Sequence, residues 1–340
     1  MIVKELYPWQ SNLWRKVAEM RLRMPHALLL QGRQGIGKQD FAIRLSQSLL
    51  CEQPLDNHAA CGECQSCNWF LQDNHPDFRL LEPEDVDGGA DDESVPASKA
   101  AKKSQIAVDQ VRELGEFIGL SSHRSGLRII VLHPAEALNQ ASANALLKML
   151  EEPPPGVNFL LVTHQPQRLL PTIRSRCSVI DMPTPSRETA ETWLTEQGLS
   201  HSAQRLAYAG GAPLAALLQE TGADKRLTEL HAQLSLGAQM DAFAAAVMCV
   251  RDGVSEVVGA LQKWTYDLLC ARLAGQLRYH IELSESLQAL AKRVDLNKLL
   301  EYQRTLDEAR RHAQHPLNAD LQLEALMIQY TQVFTVAAKP

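Results

Sequence analysis

Residues 26–40 read HALLLQGRQGIGKQD: a short apolar run, a glycine-rich loop, and the start of an amphipathic stretch that continues to Leu50. A continuous apolar run this short suits a strand buried on both faces. The loop from Gly32 through Gly35 and Gly37 to Lys38 follows it directly and opens a helix predicted over 40–50. Strand, glycine-rich loop, helix is the arrangement that binds phosphate. Backbone N–H groups cradle the anion, the helix N-terminus favours negative charge, and a lysine at position 38 reaches the terminal phosphates. A unit of this kind belongs in a parallel sheet with helices on both faces.

The same stretch lacks what phosphoryl transfer needs. Gln39 stands where a hydroxyl would ligate Mg²⁺, and Asp40 is one step round the helix, pointing elsewhere. A carboxylate at the tip of a neighbouring strand would hold the metal and place the attacking water. The strand RIIVL at 128–132 instead ends in His133-Pro134, with Glu136 beyond the tip. Both protein ligands for magnesium are missing, so the reading is a nucleotide-type fold with weak or absent nucleotide binding at Gly32, Gly35, Gly37 and Lys38, and little or no hydrolysis of its own.

Further strands are predicted at Asp77–Leu81, Val157–Thr163 and Ser178–Met182, and helices at Ile106–Leu120 and Ala141–Leu150. The second helix stops at Pro153 and Pro154. Alternating strands and helices predict one parallel α/β domain. After Pro185 the strands cease; Ser186 is a candidate N-cap, and a short helix follows Pro213. Val254, Val257, Val258, Leu261, Trp264 and Leu268 form a core-facing helical stripe. The polar segment 82–105, acids first and lysines last, reads as a surface loop.

Four of the seven cysteines fall in one window, Cys51, Cys61, Cys64 and Cys67, spaced C-x9-C-x2-C-x2-C. The x2 spacings turn successive thiolates onto one centre, and four thiolates suit a closed structural Zn²⁺ site. That reading outweighs small buried hydrophobes or a redox pair. His58 and His75 lie close by and are not needed; Cys249 and Cys270 are assigned to helical cores. The odd cysteine count speaks against a disulfide framework. The opening MIVKELYPWQ has no signal-peptide pattern, and no apolar run reaches about 18 residues, so a cytoplasmic protein without a membrane span is expected. A net charge of −6 argues against a solitary DNA binder.

Arg176, in PTIRSRC just before the last strand, sits where a guanidinium can stabilise charge on a transferring phosphate; taken alone it reads as a surface arginine in an ion pair. HALLLQGRQGIGK, the cysteine insert, NALLKMLEEPP, FLLVT and SRC occur in this order. Together they resemble the AAA+ clamp-loader subunits of bacterial DNA polymerase III, closely over the first ~185 residues and loosely beyond. The ATP-hydrolysing gamma/tau type would carry Thr or Ser at 39, Asp-Glu at 133–134, and a sensing arginine near Leu214 in GGAPLAAL. Each departure points to the delta prime type.

The resemblance implies that Cys51, Cys61, Cys64 and Cys67 hold zinc. It implies that Arg176, framed by Ser175 and Cys177, acts in trans as an arginine finger on a neighbouring gamma/tau ATP site. The loop at Gly32–Lys38 would be vestigial, and Thr163 would hold the first sensor's place. Implied partners are gamma/tau and delta subunits in a hetero-pentamer. Through the complex they extend to the sliding clamp and primer-template DNA, as a component of a DNA-directed DNA polymerase. The implied architecture is an AAA+ domain at 1–184 with a zinc module at 51–67, a helical lid at 185–225 and an all-α collar at 226–340. Two alternatives remain: an ATP-hydrolysing gamma/tau-type motor, against which positions 39 and 133–134 speak, and a stand-alone zinc and nucleic-acid binding module, against which the acidic balance speaks.

Overall fold

The computed structural model describes residues 5–84, 105–119, 126–218, 221–312 and 318–334. Most of the polar 82–105 segment therefore lies outside the described residues. The chain divides into two compact units, Met1–Thr189 and Ala190–Pro340.

The first unit opens with a 3-10 turn at Pro8–Gln10 and α1 (Ser11–Glu19). Then come β1 (Ala27–Gln31), α2 (Lys38–Leu50), α3 (Gln65–Leu71), β2 (Phe78–Leu81), α4 (Val108–Gly119) and β3 (Arg128–Leu132). The unit continues through α5 (Gln140–Glu151), β4 (Val157–Thr163), α6 (Pro171–Arg174) and β5 (Ser178–Asp181). The strands form one sheet in the order β2-β3-β4-β1-β5. Every neighbouring pair is parallel, with Leu28 beside Leu160 and Ile130 beside Phe159.

Side chains alternate across a strand, and here both faces are covered. Leu28, Leu30, Ile129, Val131, Leu160 and Val162 pack with Trp14, Phe41 and Leu45 from α1 and α2. Ala27, Leu29, Ile130, Leu132, Phe159 and Leu161 pack with Val111, Leu114, Leu146 and Leu150 from α4 and α5. Two-sided burial explains why these strands are continuous apolar runs. Only β5, at the sheet edge, leaves a large apolar side chain such as Val179 exposed. Because β1 lies between β4 and β5 while the chain leaves it for the far edge, a crevice opens at its carboxyl end. The glycine-rich loop occupies that place.

From α7 (Arg187–Glu196) onward the described residues are helical: α8 (Ser202–Tyr208), α9 (Pro213–Leu217), α10 (Thr221–Ser235), α11 (Ala242–Cys249), α12 (Val254–Leu273), α13 (Ser284–Ala291), α14 (Leu296–His312) and α15 (Ala319–Gln332). Ser186 caps α7 as read from sequence, its Oγ accepting from the Thr189 amide at 3.1 Å. This part has two separate cores. Ala190, Leu194, Leu206 and Ala216 make a small one. The large one surrounds Trp264 and Tyr330. Trp264 Nε1 donates to Tyr330 Oη at 2.8 Å, which donates to the Leu234 carbonyl at 2.7 Å. Cys249 is buried as assigned; Cys270 is only half-buried, since its face of α12 also carries exposed Tyr266 and Leu273. Among the described residues no helix is long and apolar enough to cross a membrane.

Candidate functional site

The loop between β1 and α2 is closed by its own surroundings. Gly35 and Gly37 have φ of 76° and 81°, the left-handed region that glycine enters without strain. Gly37 is required for a second reason: a Cβ there would lie 2.3 Å from Tyr7 Cε2. Tyr7 stacks on Trp9 at 5.0 Å and donates from Oη to Asp40 Oδ2 at 2.6 Å. Trp9 Nε1 donates to the Ile36 carbonyl at 3.0 Å, and Gln10 Nε2 to the Gly37 carbonyl at 2.8 Å. The N-terminal turn thus roofs the loop. Lys38 is buried and turned inward, its Nζ donating to the Arg33 carbonyl inside the same loop. Burial brings its pKa down to about 8, against the pull of Glu136.

Next to Lys38, Gln39 Nε2 donates to Glu82 Oε1 at 2.7 Å, just past the end of β2. His133, at the tip of β3, faces His164, after β4, with ring centroids 5.2 Å apart. Burial first, then His164, pushes His133 down to about 4, so it is neutral near pH 7. Burial likewise lowers His164, with Lys38 adding to it. Glu136 Oε1 accepts from the His164 amide at 3.0 Å, which ties the turn after β3 to the end of β4. Thr163 is fully buried, and its Oγ1 accepts from the Gln165 amide at 3.1 Å. The structure gathers Tyr7, Glu82, Glu136 and His164 around the loop. Sequence spacing carried no sign of Tyr7, Glu82 or His164, because they arrive from separate connections.

Cys51, Cys61, Cys64 and Cys67 converge, their sulfurs all within 4.8 Å of one another. Cys51 Sγ lies 3.6 Å from Cys61 Sγ and 3.9 Å from Cys64 Sγ, and Cys61 Sγ lies 3.9 Å from Cys67 Sγ. A tetrahedral ion with bonds of about 2.3 Å sets its sulfurs about 3.8 Å apart, so the four thiols fit such a centre. Cys64 caps α3, its Sγ accepting from the Cys67 amide at 3.4 Å, and the Cys61 and Cys64 amides donate to the preceding cysteine sulfur at 3.3 Å each. The Glu63 and Cys64 amides pull the Cys61 thiol down to about 7. His75 is engaged elsewhere: Nδ1 accepts from the Asp77 amide at 3.1 Å and Nε2 meets Ser66 Oγ at 2.8 Å.

Arg176 stands on the turn between α6 and β5, a third exposed. Its Nη2 meets Glu151 Oε1 at 2.6 Å, and its Nη1 donates to the Thr172 carbonyl at 3.0 Å. Ile173, fully buried, anchors α6 beneath it. Cys177 is half-buried beside the core, and its thiol is raised to about 11 by burial.

Residues 9–186 match the family model described as DNA polymerase III, delta subunit. The chain is 32% identical to the DNA polymerase III subunit delta′ of Pseudomonas aeruginosa, over 97% of this chain and 98% of that protein. It is 37% identical to the subunit delta′ of Escherichia coli, over 62% of this chain and 60% of that one. Among solved structures, a DNA polymerase III gamma subunit-related protein of Thermotoga maritima aligns over 95% of this chain and 99% of its own, with 16% identity and a TM-score of 0.47. With a matched segment that spans the whole sheet domain and a relative aligned end to end, the chain belongs to the DNA polymerase III subunit delta′ family.

Proposed function

We propose that the protein is the non-hydrolysing delta prime member of a clamp loader, which helps place the sliding clamp on primed DNA and lends Arg176 to an ATP site on a neighbouring gamma/tau-type subunit. One observation carries this reading: the chain's own phosphate loop is occupied by its own groups, while Arg176 stands at the surface. Lys38 is spent on the Arg33 carbonyl and Gln39 on Glu82, and His133 holds the place of a metal-binding carboxylate. A loop without magnesium ligands has little means of stabilising phosphoryl transfer. In this reading the isolated chain is inactive toward ATP and acts within a complex of gamma/tau and delta subunits.

The thiolates of Cys51, Cys61, Cys64 and Cys67 hold a structural Zn²⁺, supported by sulfur separations of 3.6–3.9 Å. The small core at Ala190, Leu194, Leu206 and Ala216 supports a lid over 185–225, and the separate core around Trp264 supports an oligomer-forming collar over 226–340. The decisive experiment measures ATP turnover in the reconstituted complex. Arg176→Ala is expected to leave assembly intact and cut turnover at one site by at least tenfold. Unchanged turnover, or robust hydrolysis by the isolated chain that Lys38→Ala abolishes, would overturn the reading.

A further inference from the structure

Arg176 is the one side chain on which the proposed chemistry depends, and its position is set by a group on a different helix. Nη1 is fixed locally, by the Thr172 carbonyl at 3.0 Å. Nη2 is fixed from outside its own turn, by Glu151 Oε1 at 2.6 Å. Glu151 ends α5, which Glu152 caps. Two carboxylates at a helix C-terminus face the negative end of the helix dipole, an unfavourable placement that a nearby cation relieves. Arg176 supplies such a cation from outside the helix, beside Lys148 in the last turn of α5 itself.

Both ends of the bridge rest on fixed backbone. Leu150, next to Glu151, is 1% exposed, and Ile173, three residues before Arg176, is fully buried in the same core. The half-buried Cys177 packs against that core too. An arginine on a turn would ordinarily sample many rotamers, a freedom it loses when it is later fixed on a partner. A carboxylate on a rigid helix end, meeting the guanidinium at one edge, removes part of that freedom in advance and leaves Nε and the remaining N–H groups for another oxyanion.

We infer that Glu151 is a positioning residue for Arg176, holding the guanidinium at the surface so that a docked neighbour's phosphate meets it already aligned. This rests on the trans-acting role of Arg176 proposed above. Two features favour alignment over permanent capture. The bridge is solvent-exposed, 34% on the arginine and 49% on the glutamate side, so it holds only weakly. A triphosphate also carries more charge than one carboxylate and can share the guanidinium with it.

The test uses the reconstituted complex with ATP and a double-mutant cycle. Glu151→Gln keeps the shape and removes the charge. It is expected to lower kcat about three- to tenfold with KM for ATP and the thermal midpoint of the subunit unchanged. In the Arg176→Ala background the same substitution should add nothing, because its effect passes through the guanidinium. Turnover that stays the same or rises in Glu151→Gln, or an equal loss in the Arg176→Ala background, would overturn the inference. If Arg176→Ala itself leaves turnover unchanged, the finger reading has failed instead, so the two failures are told apart.

Discussion

At the scale of single residues, Gly37 is held by two independent demands. Its φ of 81° suits only glycine without strain, and Tyr7 Cε2 fills the space where a Cβ would go. Gly37→Ala is therefore expected to destabilise the fold by about 2–4 kcal/mol, read as a lower urea midpoint with an unchanged slope. A midpoint within error of the parent would refute the account of the roofed loop. How such residues could be read from sequence divides sharply. Gln39, His133 and Pro134 were legible because the phosphate-loop pattern assigns each position a chemical duty, so a wrong residue type shows at once. Glu82, Tyr7 and Glu151 were not. Gln39 and Glu82 meet across 43 residues of chain, and no local spacing announces such a meeting.

The strands were legible at the scale of elements almost to the residue. Burial on both faces removes the polar alternation that blurs strand ends, and Arg128–Leu132 and Val157–Thr163 coincide with the sequence reading. Helix α2 begins at Lys38, two residues earlier than read, because its first turn is part of the loop itself. Helix α3 is too short to show a period, whereas α1 carries Leu13, Trp14, Val17 and Ala18 at helical spacing. The segment around α3 brings the four cysteines together. Of residues 51–75, Ala59 and Phe70 join the hydrophobic core of the sheet unit, a thin contribution for a stretch of this length. Metal analysis of the purified protein should find about one zinc per chain. Chelation should then lower the thermal midpoint and raise amide exchange across residues 51–75 while β1, β3 and β4 stay protected. A metal-free protein with unaltered protection there would count against the zinc centre.

For the whole molecule, both units keep histidines neutral in partly buried sites, and this sets the response to acid. In the sheet unit His133 is lowered to about 4 by burial, with His164 beside it. In the helical unit His231 is lowered to about 3, by burial first and then by His280 and Lys263. An unfolded histidine titrates near 6.5, so between about 6.5 and 3 the unfolded chain binds protons that the folded chain refuses. Stability must then fall as pH drops through that window. Asp267 stays on the folded side longer. Burial alone would raise it, but hydrogen bonds from His280 and from the Arg278 and His280 amides hold it below the ordinary carboxylate value. Its contribution is present above that ordinary value and fades only as pH falls through the lower folded one. Urea midpoints should decline steadily from pH 6.5 to 5; a flat profile across that range would contradict the burial of these imidazoles. The stacked pair Tyr7 and Trp9 has a practical corollary for anyone trimming the gene. A shortened version that starts at Ser11 would discard the ceiling over residues 36–40 and come out of expression aggregation-prone.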